Sequence, residues 1–467
     1  MTHPAISPGR MSRVDCAWLR MDKPTNRMVI TGVLLMDGLL TRDDLKAVLE
    51  SRLLSIERFR QRVAFRNGKP HWELDPDFDI DRHVVEDRLP EPGDDRALQD
   101  HVSYWMSRDL DPEHPCWQAR LVHNYQGGSA LVFRIHHCIG DGIALMLVLL
   151  SLTESRNEET GELYRSPLRS LFDPEPISPE AARDHLSRVM PAAVKLLTLP
   201  AQKLAELKGW QKAGASVPAF SKLALRPPDP RTQFKGKLGV EQRATWSRPL
   251  RLDDVEAVRR GLGGTVNDVL TSALAGALGR YLAGDGTVSE RLKFRAVVPV
   301  NLRPLEEMAA LGNQFGLVFL SLPVGIRDPI RRLAEVRRRM SALKRSFEPV
   351  VALKVLGLLG ASPELAQKLA VSIFGAKGTA VLTNVPGPRR TLYFGGRPIR
   401  SFIFWVPRSA NLSMGLSIAS YAGEVRLGVA TDVGLVPDPE TIVAGFHDEF
   451  DRMAELAASS GGASRPA

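Results

Sequence analysis

Apolar and polar residues along this chain follow two different periods, and the changes from one to the other set out its elements. Residues 29–36 form a nearly unbroken apolar run of strand length. Residues 41–54 instead repeat apolar positions at helical spacing behind Thr41, a residue type that caps helices. The same reading predicts a helix over 97–106, strands over 119–123 and 130–135 around the turn Gln126-Gly127-Gly128, and a helix over 143–154. From 166 to 235 the pattern changes, with prolines from Pro167 to Pro230 punctuating a crossover segment. Within it, residues 192–210 set apolar positions against Lys195, Lys203 and Lys208, a pattern that suits either a membrane interface or packing on the protein itself.

Regular patterning resumes near Gly236. Helices are predicted over 252–260, 266–282, 328–347 and 438–457, and strands over 293–300, 317–324, 378–383, 401–406, 412–421 and 425–431. The 328–347 helix is strongly basic. Residues 351–374 are apolar but broken by Gly357, Gly360 and Pro363, and suit either core or a lipid-access helix pair. Strands and helices alternate in both halves, which predicts an α/β or α+β protein of two domains, 1–165 and 236–458, joined by 166–235 and followed by a disordered tail, 459–467.

A length of 467 residues agrees with two cores rather than one. Charged residues at 25% against 44% hydrophobic describe a folded chain rather than a disordered one. The net charge of +9 favours an anionic partner: a phosphorylated cofactor, an anionic membrane or nucleic acid. No aromatic-basic interleaving is present, so nucleic acid ranks last and is not expected. Cys16, Cys116 and Cys138 lack metal-ligand spacing and imply neither a disulfide framework nor a metal site. Residues 1–10 hold no signal-peptide core, and no run approaches about 18 apolar residues. The expectation is a cytoplasmic protein, peripheral to a membrane if associated with one.

Candidate chemistry concentrates in His136-His137-Cys138-Ile139-Gly140-Asp141-Gly142, which follows the predicted strand 130–135. An imidazole with an ordinary pKa of about 6.5 takes protons near neutral pH, and a strand end holds it rigidly. His137 is the candidate general base, positioned to remove a hydroxyl proton so that the oxygen attacks an acyl carbonyl. His136 is its supporting neighbour, because adjacent strand residues face opposite ways. Asp141 is expected to hold the turn, pairing with an arginine (Arg303 among the choices), and Gly142 to serve backbone conformation, because a side chain there could block the turn or a channel. No G-x-S-x-G elbow exists for a serine acyl-enzyme.

This segment resembles the H-H-x-x-x-D-G signature of the CoA-dependent acyltransferase superfamily, which includes chloramphenicol acetyltransferase and peptide-synthetase condensation domains. Further residues narrow the likeness. Residues 11–18, His71-Trp72, residues 75–83 and Pro115-Cys116-Trp117 resemble bacterial wax ester synthase/diacylglycerol acyltransferases, with Cys116 where that family has Leu. So do residues 265–270, 299–303, 312–316 and Thr383-Asn384-Val385-Pro386-Gly387-Pro388. The resemblance covers nearly the whole chain. It implies two chloramphenicol-acetyltransferase-like domains, each a mixed sheet with helices, facing each other across a central channel. It also implies transfer from long-chain acyl-CoA, a co-substrate rather than a permanently bound cofactor, to a fatty alcohol or diacylglycerol. His137 carries over as proton acceptor and Asp141 as the structural aspartate.

Asn267, beside Asp268 at the start of a helical pattern, is either an N-cap or a group reaching across to the acyl carbonyl or to His137. Asn384, Pro386 and Gly387 read as a turn, in which Gly387 permits positive φ; the turn is structural or lines the channel. The basic cluster from Arg331 to Arg345 is a solvated face or an attractor of CoA phosphates or lipid headgroups. Two rival readings remain: a condensation-type or polyketide-associated acyltransferase using a carrier-bound acyl group, and a non-catalytic lipid-binding protein of the same fold.

Overall fold

The computed structural model describes residues 9–157, 159–165, 227–284, 286–301, 315–344, 375–408 and 412–462. The amphipathic stretch 192–210, the apolar stretch 351–374, Arg303 and residues 463–467 lie outside them.

The first half begins with α1 (Arg13–Met21), capped by the Ser12 hydroxyl accepting from Asp15 N–H at 3.1 Å. Next come β1 (Val29–Met36) and α2 (Arg42–Val48), where Thr41 and Asp44 form a reciprocal capping box before the helix widens into a π turn, Leu49–Leu53. A hairpin of β2 (Gln61–Arg66) and β3 (Lys69–Leu74) leads through α3 (Ile80–His83) to β4 (Val84–Arg88) and α4 (Asp95–Met106). Then follow β5 (Trp117–Tyr125), β6 (Gly128–His136), α5 (Gly142–Ser151) and the small pair β7 (Ser155–Arg156) and β8 (Leu163–Tyr164). Every residue of β6 is buried, so the strand that delivers the histidines is among the firmest in the molecule. Each large apolar side chain it buries contributes about 1.5–3 kcal/mol.

The second half contains β9 (Gln242–Trp246), β10 (Leu250–Arg251), α6 (Leu252–Leu262), α7 (Val266–Ala283), β11 (Phe294–Asn301), β12 (Phe315–Leu322) and α8 (Pro329–Lys344). It continues with β13 (Ala380–Pro386), β14 (Tyr393–Phe394), β15 (Arg397–Trp405), β16 (Met414–Tyr421), β17 (Glu424–Asp432) and α9 (Pro439–Gly462). The last helix thus runs on through 459–462, which the sequence pattern assigned to the tail.

Two mixed sheets result. One has the order β14-β15-β1-β6-β5-β4; the other runs β10-β17-β16-β13-β11-β12, with β9 also paired to β17. The chain's two halves do not map one to each sheet. β15 leaves the second half and pairs antiparallel with β1, matching Thr31 with Trp405 and Leu34 with Phe402. A division of the chain near residue 235 therefore does not coincide with the division between sheets. The halves also share a core, in which Val33, Val102 and Val132 pack with Trp246, Ile403 and Trp405. At its rim, Ser103 of α4 and Ser107 at its C-cap accept from the backbone N–H groups of Ala244 and Gln242, at 2.9 and 2.8 Å, which ties α4 to β9.

The basic face predicted on α8 is matched largely by the protein's own carboxylates. Arg332 is buried and pairs with the buried Glu449; Arg338 and Arg339 pair with Glu335, and Arg331 lies 3.5 Å from Glu290. Among the described residues, no helix is long and apolar enough to cross a membrane.

Candidate active site

The histidine motif begins where β6 ends. His136 is the last residue of the strand, opposite Val29, and its N–H donates to Cys116 carbonyl at 2.9 Å. One residue on, His137 N–H donates to Met28 carbonyl at 2.7 Å, so the backbone remains anchored on β1's approach as the chain turns. The His136 ring is fixed in turn: Nδ1 accepts from Cys138 N–H at 3.1 Å, which leaves the proton on Nε2, 3.7 Å from Asp22 Oδ1. Burial alone would raise the Asp22 carboxyl. The His136 imidazole, together with Met28 N–H at 2.5 Å, outweighs that and holds it below the ordinary carboxylate range. Asp22 carries no pattern in the sequence that marks it; only the folded backbone brings it to His136.

His137, 4% exposed, faces the other way and lines a cleft between the sheets. Trp18 of α1 stacks on its ring, with centroids 4.1 Å apart and planes inclined by 22°. The cleft encloses about 1290 Å³ counted out to its open mouth. Its walls come from β1, β6, β15 and α5 on one side and from β11, β12 and β13 on the other. They are overwhelmingly apolar; His137, Asp141, Thr383 and Asn384 are the polar or charged side chains among the lining residues.

Asp141 is the N-cap of α5, accepting from Ala144 N–H at 2.9 Å while only 3% exposed. Its expected role of holding the turn takes the form of a helix cap. Gly142 sits in the first turn of α5 and is not among the residues with positive φ. Positive φ is therefore not what calls for glycine here; of the expected reasons, obstruction by a side chain is the one that applies, since a Cβ would stand 3.5 Å from Val406 Cγ1 and occupy cleft space.

The N-cap of α7 is Thr265, not Asn267. Thr265 and Asp268 form a capping box, with Asp268 N–H donating to Thr265 Oγ1 at 3.2 Å and Asp268 Oδ2 accepting from Thr265 N–H at 2.9 Å. The pattern Thr-x-x-Asp was available in the sequence as the signal. Asn267, freed from capping, lines a second pocket beside the first, and its Oδ1 accepts from the Asn384 amide. Asn384 lines both pockets and so stands in the partition between them.

Residues 384–386 are not a turn but the end of β13, paired in parallel with β16 through Asn384–Ile418 and Pro386–Ser420. Proline is tolerated at a strand end, where a ladder donor is dispensable. Gly387 does not adopt positive φ; it is required for close approach, since a Cβ would lie 2.3 Å from Ser420 carbonyl oxygen. Among the described residues, no cluster of three or more His, Cys, Asp or Glu side chains could hold a metal.

A buried histidine at a strand end, facing an apolar cleft between two mixed sheets, defines an acyltransferase of the H-H-x-x-x-D-G class. The sequence model of the wax ester synthase/diacylglycerol acyltransferase catalytic domain matches residues 11–270, and that of the family's C-terminal domain matches 311–454. The chain belongs to the wax ester synthase/diacylglycerol acyltransferase family. A Mycobacterium tuberculosis relative named as a probable diacylglycerol O-acyltransferase is 27% identical over 416 residues, with 87% of each chain covered. Another relative carrying that enzyme name, from Mycobacterium bovis, is 30% identical, covering 82% of this chain and 83% of its own. The solved wax ester synthase/diacylglycerol acyltransferase from Marinobacter aquaeolei VT8 shares the fold, with a TM-score of 0.66 at 23% identity over 97% of this chain and 100% of that one.

Proposed function

We propose that this enzyme transfers the acyl group of a long-chain acyl-CoA to the hydroxyl of diacylglycerol, giving triacylglycerol, or of a fatty alcohol, giving a wax ester. The observation that carries this reading is His137: a buried imidazole stacked on Trp18 in the wall of a long apolar cleft. His137 takes the acceptor's hydroxyl proton as the oxygen attacks the thioester carbonyl carbon. The resulting tetrahedral centre collapses, the carbon–sulfur bond breaks, and the imidazolium returns the proton to the departing CoA thiolate. Ester and free CoA thiol are the products, with no protein-bound acyl group.

His136 supports the motif through Cys138 and Asp22, and Asp141 holds α5 beneath it. The oxyanion-stabilising role passes from Asn267 to Asn384. One N–H of the Asn384 amide is engaged by Asn267, which leaves the other for the developing oxyanion in the cleft. Units 1–165 and 236–458, linked by 166–235, both contribute to the cleft, and β15 of the second unit joins β1 and β6 in one wall. The enzyme works at the surface of a membrane or lipid droplet on the cytoplasmic side, where its apolar acceptors reside.

The test is thiol release from palmitoyl-CoA, with hexadecanol and dioleoylglycerol offered separately and no carrier protein present. The wild type turns over at least one acceptor, and His137→Ala loses about 10²- to 10⁴-fold in kcat. Near-normal turnover by that variant overturns the mechanism. Dependence on a carrier-bound acyl group would favour the condensation-type alternative instead.

A further inference from the structure

Gly32 lies in the middle of β1, directly opposite Phe133 on β6 and Phe404 on β15. Residues opposite one another in antiparallel strands share a sheet face, and all three line the cleft. The row on one side of this one pairs Ile30 with Ile135, and the row on the other side places Leu34 opposite Phe402. The cleft floor is thus a series of rows of large apolar side chains, with one side chain missing from a central row.

Neither backbone conformation nor close packing accounts for that gap. Gly32 is not among the residues with positive φ. A Cβ built on it would meet Leu149 Cδ1 at 3.8 Å and Ile403 carbonyl oxygen at 4.0 Å, which are ordinary contacts. Glycine is otherwise unfavourable within a strand, where it offers no side chain to pack and loses the most freedom on folding. An alanine methyl fits against Leu149; a branched side chain has only the cleft to grow into. Gly32 is four residues from Met28, which precedes β1 and is the backbone anchor of His137, a separation of about 13 Å at the usual strand rise. A substrate held by its reacting carbon at His137 would pass Gly32 partway down its tail.

We infer that Gly32 sets the length of alkyl chain that the cleft admits, its missing side chain leaving a notch between Phe133 and Phe404 for the distal methylenes. This inference rests on the proposed acyl transfer and adds which residue selects among chains. The notch takes an unbranched alkyl tail, whether it belongs to the acyl donor or to the acceptor.

The experiment compares wild type, Gly32→Ala and Gly32→Val in two arms. In one, octanoyl-, dodecanoyl- and palmitoyl-CoA are offered with a fixed acceptor. In the other, alcohols of the same lengths are offered with palmitoyl-CoA. The Val variant is expected to lose about tenfold or more in kcat/KM for the longest chain relative to the shortest, in one arm, with Ala shifted less in the same direction. Selective loss in the first arm assigns the notch to the acyl tail; selective loss in the second assigns it to the acceptor. A uniform change at every length, or none, overturns the inference while leaving the proposed reaction standing. A wild type inactive toward every acyl-CoA removes the reaction and the inference together. If Gly32→Val fails to fold, the same length ratio read in Gly32→Ala decides.

Discussion

The indole of Trp18 and the imidazole of His137 lie face to face, 4.1 Å between centroids, although 118 residues lie between them in the sequence. Trp18 is itself 3% exposed on α1, so the indole is a fixed plate rather than a mobile cover. In the proposed reaction the imidazole becomes a cation in the transition state while facing that plate. A cation over an indole gains about 0.5–2 kcal/mol. Trp18→Leu should therefore lower kcat about tenfold, the equivalent of about 1.4 kcal/mol, while Trp18→Phe retains most of it. Steady-state thiol release measures both; an undiminished kcat in Trp18→Leu would remove the indole from the chemistry.

Asn384 and Asn267 form a two-residue unit in which Asn384 reaches the cleft and Asn267 holds it from behind. If Asn384 donates to the oxyanion, Asn384→Ala should cost about 10²- to 10³-fold in kcat. Asn267→Ala should cost less, because it only releases its partner. The double variant should resemble Asn384→Ala alone, since a positioning residue has nothing left to position. Fully additive losses in log kcat would show that the two amides act separately.

Elements with long, regular periods were legible in the chain because a single face or run dictates them. Residues 29–36, the Thr41 cap and the strand before His136 are of this kind. What escaped reading depends on partners remote in sequence. β15 has the apolar pattern of a strand, but nothing local says that it pairs with β1 rather than with its neighbour β16. Arg332 looks like its basic neighbours until Glu449 of α9 meets it in the interior. Asn384 read as part of a proline-driven turn because local rules weigh Pro386 and Pro388 heavily, whereas parallel pairing with β16 carries the strand to Pro386. Trp18 belonged to a recognised N-terminal segment, yet only the packing of α1 reveals its contact with His137.

Asp141 caps α5 through its carboxylate oxygen, and asparagine caps helices nearly as well as aspartate. Asp141→Ala should therefore cost about 1–2 kcal/mol in urea unfolding, and Asp141→Asn only a few tenths. Because the cap lies directly beneath the cleft, the Ala variant should also lose activity, in step with its loss of folded protein. Asp141→Asn should remain both folded and active. A well-folded but inactive Asn variant would show that the negative charge itself takes part in the reaction.

His83 predicts how stability responds to acid. Its ring is stacked between Phe78 and Trp117, at 5.2 and 4.4 Å, and Nδ1 sits 2.8 Å from Trp117 carbonyl oxygen. Burial lowers its pKa, and burial does the same for His101 and His447. As pH falls below about 6.5, the unfolded chain takes up protons at these positions before the folded protein does. Stability then rises with pH: the contribution is fully present above the unfolded value and is lost as pH falls through the depressed folded values. The urea midpoint should stay level from pH 8 to pH 7 and fall between pH 7 and pH 5. His83→Gln removes one of the three groups, so it should make that decline shallower even though it lowers stability at pH 8. An unchanged slope would assign the acid sensitivity to groups other than His83.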